Sequence, residues 1–149
     1  MIGRMSRCRR EVFIQAPSEV VWELIADVER HPEWWPRVVE VTCEGLEEGC
    51  TYREVTKTPF GTDEMLLRVD ELTPGERFTI HCVNTGTFVR IALTEARGGT
   101  FLEAEMGMEP WKLGMKVFDA VIGKRYFDSW LGQTVEGLER AASSRAAVG

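Results

Sequence analysis

Apolar and polar positions follow two different rhythms along this chain. A first strand runs from about Cys8 to Gln15. A helix should start at Pro17, since proline suits the first helical position and Glu19 favours the positive end of the helix dipole. Val20, Val21, Leu24, Ile25 and Val28 then recur every three or four residues, as on a helix with one buried face. Pro32 and Pro36 interrupt regular helix and leave a short turn or helical piece around Glu33 to Trp35. From Val38 the rhythm shortens to alternation. Val39, Val41 and Cys43 fall on one face of a strand, and Val38, Glu40 and Thr42 on the other. Further strands are predicted at Thr51 to Thr58, around Met65, Leu67 and Val69, at Arg77 to Asn84, at Thr87 to Ala96 and at Thr100 to Met108. Gly45 to Gly49, Pro59-Phe60-Gly61, Thr73-Pro74-Gly75, Thr85-Gly86 and Arg97-Gly98-Gly99 supply the turns between them. Short connections between strands make an antiparallel sheet, with one covered face.

The helical rhythm returns from about Pro110 to Ala142. Leu113, Val117, Ala120, Phe127, Leu131, Val135 and Leu138 form a stripe along the whole helix, suited to packing on the sheet. Trp111, Met115, Phe118, Ile122 and Tyr126 form a second stripe in the first half only. It gives way to Ser129, Gln133, Glu136 and Arg140. A helix that is apolar on two sides must bury both, against protein, a partner or a ligand. Gly114, Gly123, Gly132 and Gly137 each cost about 1 kcal/mol relative to alanine, so they imply close packing or a need for local give.

A length of 149 residues suits one domain spanning 1–149, with 1–7 and 143–149 as flexible tails. The net charge of −6 argues against nucleic acid as a partner. Arg4, Arg7, Arg9 and Arg10 crowd at the start, as a solvated arm or one that touches anionic lipid or a partner. No apolar run approaches the roughly 18 residues of a membrane span, and no apolar signal core is present, which predicts a cytoplasmic location. Transient membrane contact, and a monomer or a homodimer, stay open. Cys8, Cys43, Cys50 and Cys82 lack metal-type spacing. Cys43 and Cys50 flank a loop symmetrically, but free thiols are expected in a reducing compartment.

The stretch from Glu11 to Pro36 resembles the opening of the START, or SRPBCC, superfamily. The likeness is strongest from Ala16-Pro17 through Trp35-Pro36 and from Gly123-Lys124-Arg125 through Leu138-Glu139-Arg140. Among its members the chain is most similar to the bacterial polyketide cyclase/dehydrase and lipid transport proteins. Asp27-Val28-Glu29-Arg30-His31-Pro32 also looks like the coenzyme-Q-binding relatives. The resemblance implies an α+β helix-grip fold. In it a curved antiparallel sheet of about seven strands wraps around a long C-terminal helix, two short helices follow the first strand, and an apolar ligand sits between sheet and helix. These are motifs of fold, not of chemistry.

Candidate chemistry is sparse. No nucleophile elbow, phosphate loop or metal-ligand spacing occurs, so neither a metal nor a cofactor is expected. His81 alternates with Phe78, Ile80 and Cys82 in a way that points it to solvent, and Arg68 and Arg90 follow the same logic. Tyr52 and Glu54 share a face that could be internal. They and His81 are the weak catalytic candidates, because an acid or base in an apolar cavity is what a cyclase or dehydratase needs. A pocket lining is expected from Trp35, Met65, Leu67, Val69, Phe78, Ile80, Val89, Ile91, Leu102, Met106 and Met108. Trp111, Met115, Phe118, Ile122 and Tyr126 are expected to roof it. Leu93 and Ala104 share the inner face. Trp34 or Trp35 should plug the core at the bend, and Trp111 suits a pocket mouth. The leading expectation is a binding or transport protein for a hydrophobic small molecule such as a lipid, a polyketide or a quinone. The alternatives are a cofactor-independent cyclase, aromatase or dehydratase, and an interaction module docking through Trp111, Met115 and Phe118.

Overall fold

The computed structural model describes residues 6–58, 60–108 and 124–148. Strand β1 (Ser6–Ile14) leads into helix α1 (Ser18–Ala26) and a 3-10 helix (Val28–Glu33). Strands β2 (Val38–Thr42), β3 (Thr51–Thr58), β4 (Gly61–Thr73), β5 (Arg77–Cys82), β6 (Thr87–Ala96) and β7 (Gly99–Met108) follow, and then helix α2 (Lys124–Val148). The strands form one seven-stranded sheet in the order β1-β7-β6-β5-β4-β3-β2, with every neighbouring pair antiparallel. The first two strands are thus the two sheet edges. The α1 and 3-10 segment carries the chain between them, and α2 packs on β1, β7 and α1. This is the open curved sheet and long terminal helix of a helix-grip fold.

Alternation does most of the work. Leu67 and Val69 of β4, Phe78, Ile80 and Cys82 of β5, Val89, Ile91 and Leu93 of β6, and Leu102, Ala104, Met106 and Met108 of β7 are all buried on the inner face. Helix α2 answers with Phe127, Leu131, Val135, Leu138 and Ala142, while Ser129, Gln133, Glu136 and Arg140 face water. Full burial of such side chains contributes about 1.5–3 kcal/mol each. Gly137 has a specific cause: a Cβ there would collide with the carbonyl oxygen of Trp34, so this glycine lets the bend lie directly on α2. The helix runs on to Val148 where a tail from Ser143 was expected, and Arg145 lies 3.6 Å from Glu23 of α1.

Three local expectations are corrected. Pro17 caps α1 rather than opening it, and Ser18 is the first helical residue. In β2 a register shift between Val38 and Glu40 breaks the alternation, so Val38 and Val41 are buried and Val39 is exposed. A bulge adds one residue to one strand and turns every later side chain over. The arginines at the start are not a free arm. Arg7 and Arg9 belong to β1 and pair with Glu105 (3.2 Å) and Glu103 (2.6 Å) of β7, and Arg10 reaches Asp128 of α2 at 3.0 Å. Arg4 and the first half of the predicted long helix lie outside the described residues.

Candidate functional site

The bend between α1 and β2 builds one wall. His31, in the 3-10 helix, is completely buried, and its Nε2–H donates to the Ile25 carbonyl at 2.8 Å. Its ring meets Trp34, Trp35 and Phe78 at 5.2, 4.9 and 6.4 Å between centroids. Burial holds this imidazole down at a pKa of about 4, so it is neutral at ordinary pH. Trp34 stacks on Trp35, and its indole N–H donates to the Leu24 carbonyl at 3.2 Å. Both tryptophans of the bend are therefore core plugs. From the opposite side the Trp130 indole of α2 donates to the Pro36 carbonyl at 2.9 Å, which ties helix to bend. Arg37 takes a left-handed backbone (φ 73°) and lays its guanidinium over the Tyr126 and Trp130 rings at 4.8 and 5.6 Å.

Between these rings and the sheet a narrow crevice stays open. Trp35 and Trp130 face Met65, Leu67, Ile80, Val89 and Met106, with Glu54 and Thr87 as the polar members, around a cavity of about 20 Å³, the room of about one water molecule. Glu54 is 5% exposed. The Thr56 hydroxyl donates to its Oε2 at 2.8 Å, and Oε1 has no hydrogen-bond partner among the described residues. Burial raises its pKa to about 7, against the opposing pull of the Thr56 hydroxyl. Tyr52, two residues earlier on β3, is also buried, and its phenol has no partner among the described residues. Burial, and then the neighbouring Glu54 carboxylate, push that phenol well above its ordinary value. The Trp35 indole N–H is likewise unpartnered among them.

The predicted residues divide by position. Trp35, Met65, Leu67, Ile80, Val89 and Met106 border the crevice together with Glu54. Val69, Phe78, Ile91, Leu102 and Met108 are buried in the continuous core and do not border it. For Phe78 the reason is plain, because the His31 ring already occupies the space above it. Tyr126 is half-buried beside Phe127 and Trp130 and under Arg37. Trp111, Met115, Phe118 and Ile122 lie outside the described residues. His81 stands on the other face, with Nδ1 2.7 Å from Asp70, away from Tyr52 and Glu54. Trp130 and Thr56 went unmarked in the sequence. Trp130 falls between the two stripes traced along the helix, and Thr56 merely extends the Tyr52, Glu54 alternation.

A broader depression on the outer face, bordered by Arg9, Arg77, Arg90, Glu71, Glu103 and Glu105, is a network of ion pairs. Its opposite charges largely satisfy one another. Among the described residues no group of three or more His, Cys, Asp or Glu side chains is placed to hold a metal ion. No helix among them is long and apolar enough to cross a membrane.

Comparison with known proteins supports this architecture. No protein of curated function matches the sequence. Among solved structures, TTHA0849 from Thermus thermophilus superposes with a TM-score of 0.76 at 15% identity, covering 94% of this chain and 99% of that one. A START superfamily protein from Mycobacterium smegmatis gives 0.70 at 15% identity, with coverages of 95% and 97%. The di-domain ARO/CYC protein StfQ of the steffimycin biosynthetic pathway gives 0.72 at 19% identity. There 96% of this chain matches 51% of that one, about half of the two-domain protein. At these identities the structures establish the fold alone. The family model described as polyketide cyclase/dehydrase and lipid transport matches residues 5–143, nearly the whole chain. With its helix-grip sheet, its long terminal helix and an apolar crevice between them, this chain belongs to the polyketide cyclase/dehydrase and lipid transport family.

Proposed function

We propose that this chain acts as one binding domain that encloses and carries a hydrophobic small molecule in the crevice between sheet and α2. The observation that carries this reading is the apolar lining of Trp35, Met65, Leu67, Ile80, Val89, Met106 and Trp130 around a cavity of about 20 Å³, which a ligand would widen by moving these side chains. Two methionines in the wall suit a permissive pocket, because an unbranched thioether adapts to the shape it meets. Affinity comes from apolar area removed from water, at roughly 25 cal/mol per Å². Orientation comes from Glu54, the one ionisable side chain on the wall among the described residues.

A second reading is supported by the same residue. A carboxyl with a pKa near 7 is matched to proton transfer at neutral pH, as a cofactor-independent cyclase, aromatase or dehydratase requires. A second converging group would be needed, and the buried Tyr52 phenol is the nearest candidate on the same strand. Native mass spectrometry of freshly purified protein, followed by denaturing extraction, separates the readings. A retained apolar compound of defined mass, released unchanged, supports carriage. A compound converted on incubation supports turnover. Protein that is empty and takes up no apolar probe contradicts both.

A further inference from the structure

We propose that the ligand of this crevice is a cationic amphiphile, an apolar chain or ring bearing a protonated amine that pairs with Glu54. This deepens the binding reading above and rests on it. Glu54 Oε2 is held by the Thr56 hydroxyl, and Oε1 accepts nothing from the described residues. No lysine or arginine among the described residues borders the crevice or pairs with this carboxylate. The groups beside Glu54 across the strand pairs are Val41 of β2 and Met65 of β4. The titratable neighbour that senses its charge is the Tyr52 phenol on its own strand, and phenols are neutral at ordinary pH. The Arg37 guanidinium, a cation beside the Trp130 wall, is engaged with the Tyr126 and Trp130 rings.

A carboxylate removed from water without a counter-charge is costly, and a cation that enters beside it recovers that cost. An anionic headgroup would meet repulsion instead, while a neutral hydroxyl would gain one hydrogen bond and no charge pairing. The Trp35 ring stacks on Trp34 and the Trp130 ring already holds the Arg37 guanidinium, so Glu54 rather than the rings carries the preference. The net charge of −6 draws cations rather than anions toward the protein.

The test is a matched series of octylamine, octanol and octanoate, titrated calorimetrically into the full chain at pH 8, where both carboxylate and amine are charged. Octylamine should bind at least about tenfold tighter than octanol, and octanoate most weakly. Glu54→Gln, which keeps the shape, should remove the preference for octylamine over octanol. The series on the unaltered protein reads the charge preference even where the variant does not fold. Octanoate binding as well as octylamine, or an amine preference that survives Glu54→Gln, would overturn the cationic ligand while leaving the cavity reading intact. Failure of all three to bind would overturn both.

Discussion

The inner space has two ends, with His31 buried at one and Glu54, beside the Tyr52 phenol, at the other. At the bend, His31 is closed in by Trp34, Trp35 and Phe78; Ile25 accepts from its Nε2–H, and its Nδ1 has no partner among the described residues. At the β3 side, Glu54 is also buried with one oxygen left unmatched by the described residues, but it borders the small cavity. Trp35 stands between them, touching the His31 ring and lining the crevice. Burial alone does not distinguish a structural polar group from one available to a ligand. The contrast lies in whether the surrounding atoms have filled the space.

The largest expected effect breaks the sealed end. His31→Ala leaves a void among three rings and should cost about 3 kcal/mol in chemical denaturation. Gly137→Ala should cost about 1–3 kcal/mol, because the new Cβ strikes the Trp34 carbonyl. An exposed helical glycine would instead gain about 1 kcal/mol from the same change. Stabilisation by Gly137→Ala would contradict the close approach of bend and helix.

The two ends also oppose each other in pH dependence. His31 has its folded pKa lowered from 6.5 to about 4, so its contribution is present above pH 6.5 and is lost as pH falls toward 4. Glu54 has its folded pKa raised from 4.5 to about 7, so its contribution is present below pH 4.5 and is lost as pH rises toward 7. Each is worth on the order of 3 kcal/mol, and over pH 4.5–6.5 they offset. Glu54→Gln should therefore show stability rising with pH across that window, and His31→Phe stability falling. Urea melts at several pH values check this. Parallel profiles for the two variants would refute the contrast.

Smaller effects sharpen it. Trp130→Phe loses the bond to the Pro36 carbonyl, should cost about 1 kcal/mol and should alter apolar-probe affinity, since that ring is a crevice wall. Arg90→Ala, on the outer face, breaks a half-exposed pair with Glu105. It should change stability by less than about 1 kcal/mol and leave probe binding unchanged.

Most of the sheet was legible because alternation and turn residues agree along most of Thr51 to Met108, a register shift between Val69 and Glu71 of β4 being the exception. Alternation put Tyr52 and Glu54 on one face of β3 but left open whether that face is internal. Three features were not legible, each for a physical reason. The β2 bulge changes which valine is buried without changing composition, so Val38-Val39 reads equally well in either register. The burial of His31 depends on three rings brought together from two separate segments. Trp130 becomes a wall only when α2 is rotated against the bend, which Gly137 and the Pro36 carbonyl determine and helical periodicity does not.

A crystal structure of the full chain grown with octylamine tests the central claim most directly. The alkyl chain should lodge between Trp35, Trp130, Met65 and Met106, with its nitrogen at hydrogen-bond distance from Glu54. A crevice closed by its own side chains, with the amine absent or bound on the outer face, would contradict it.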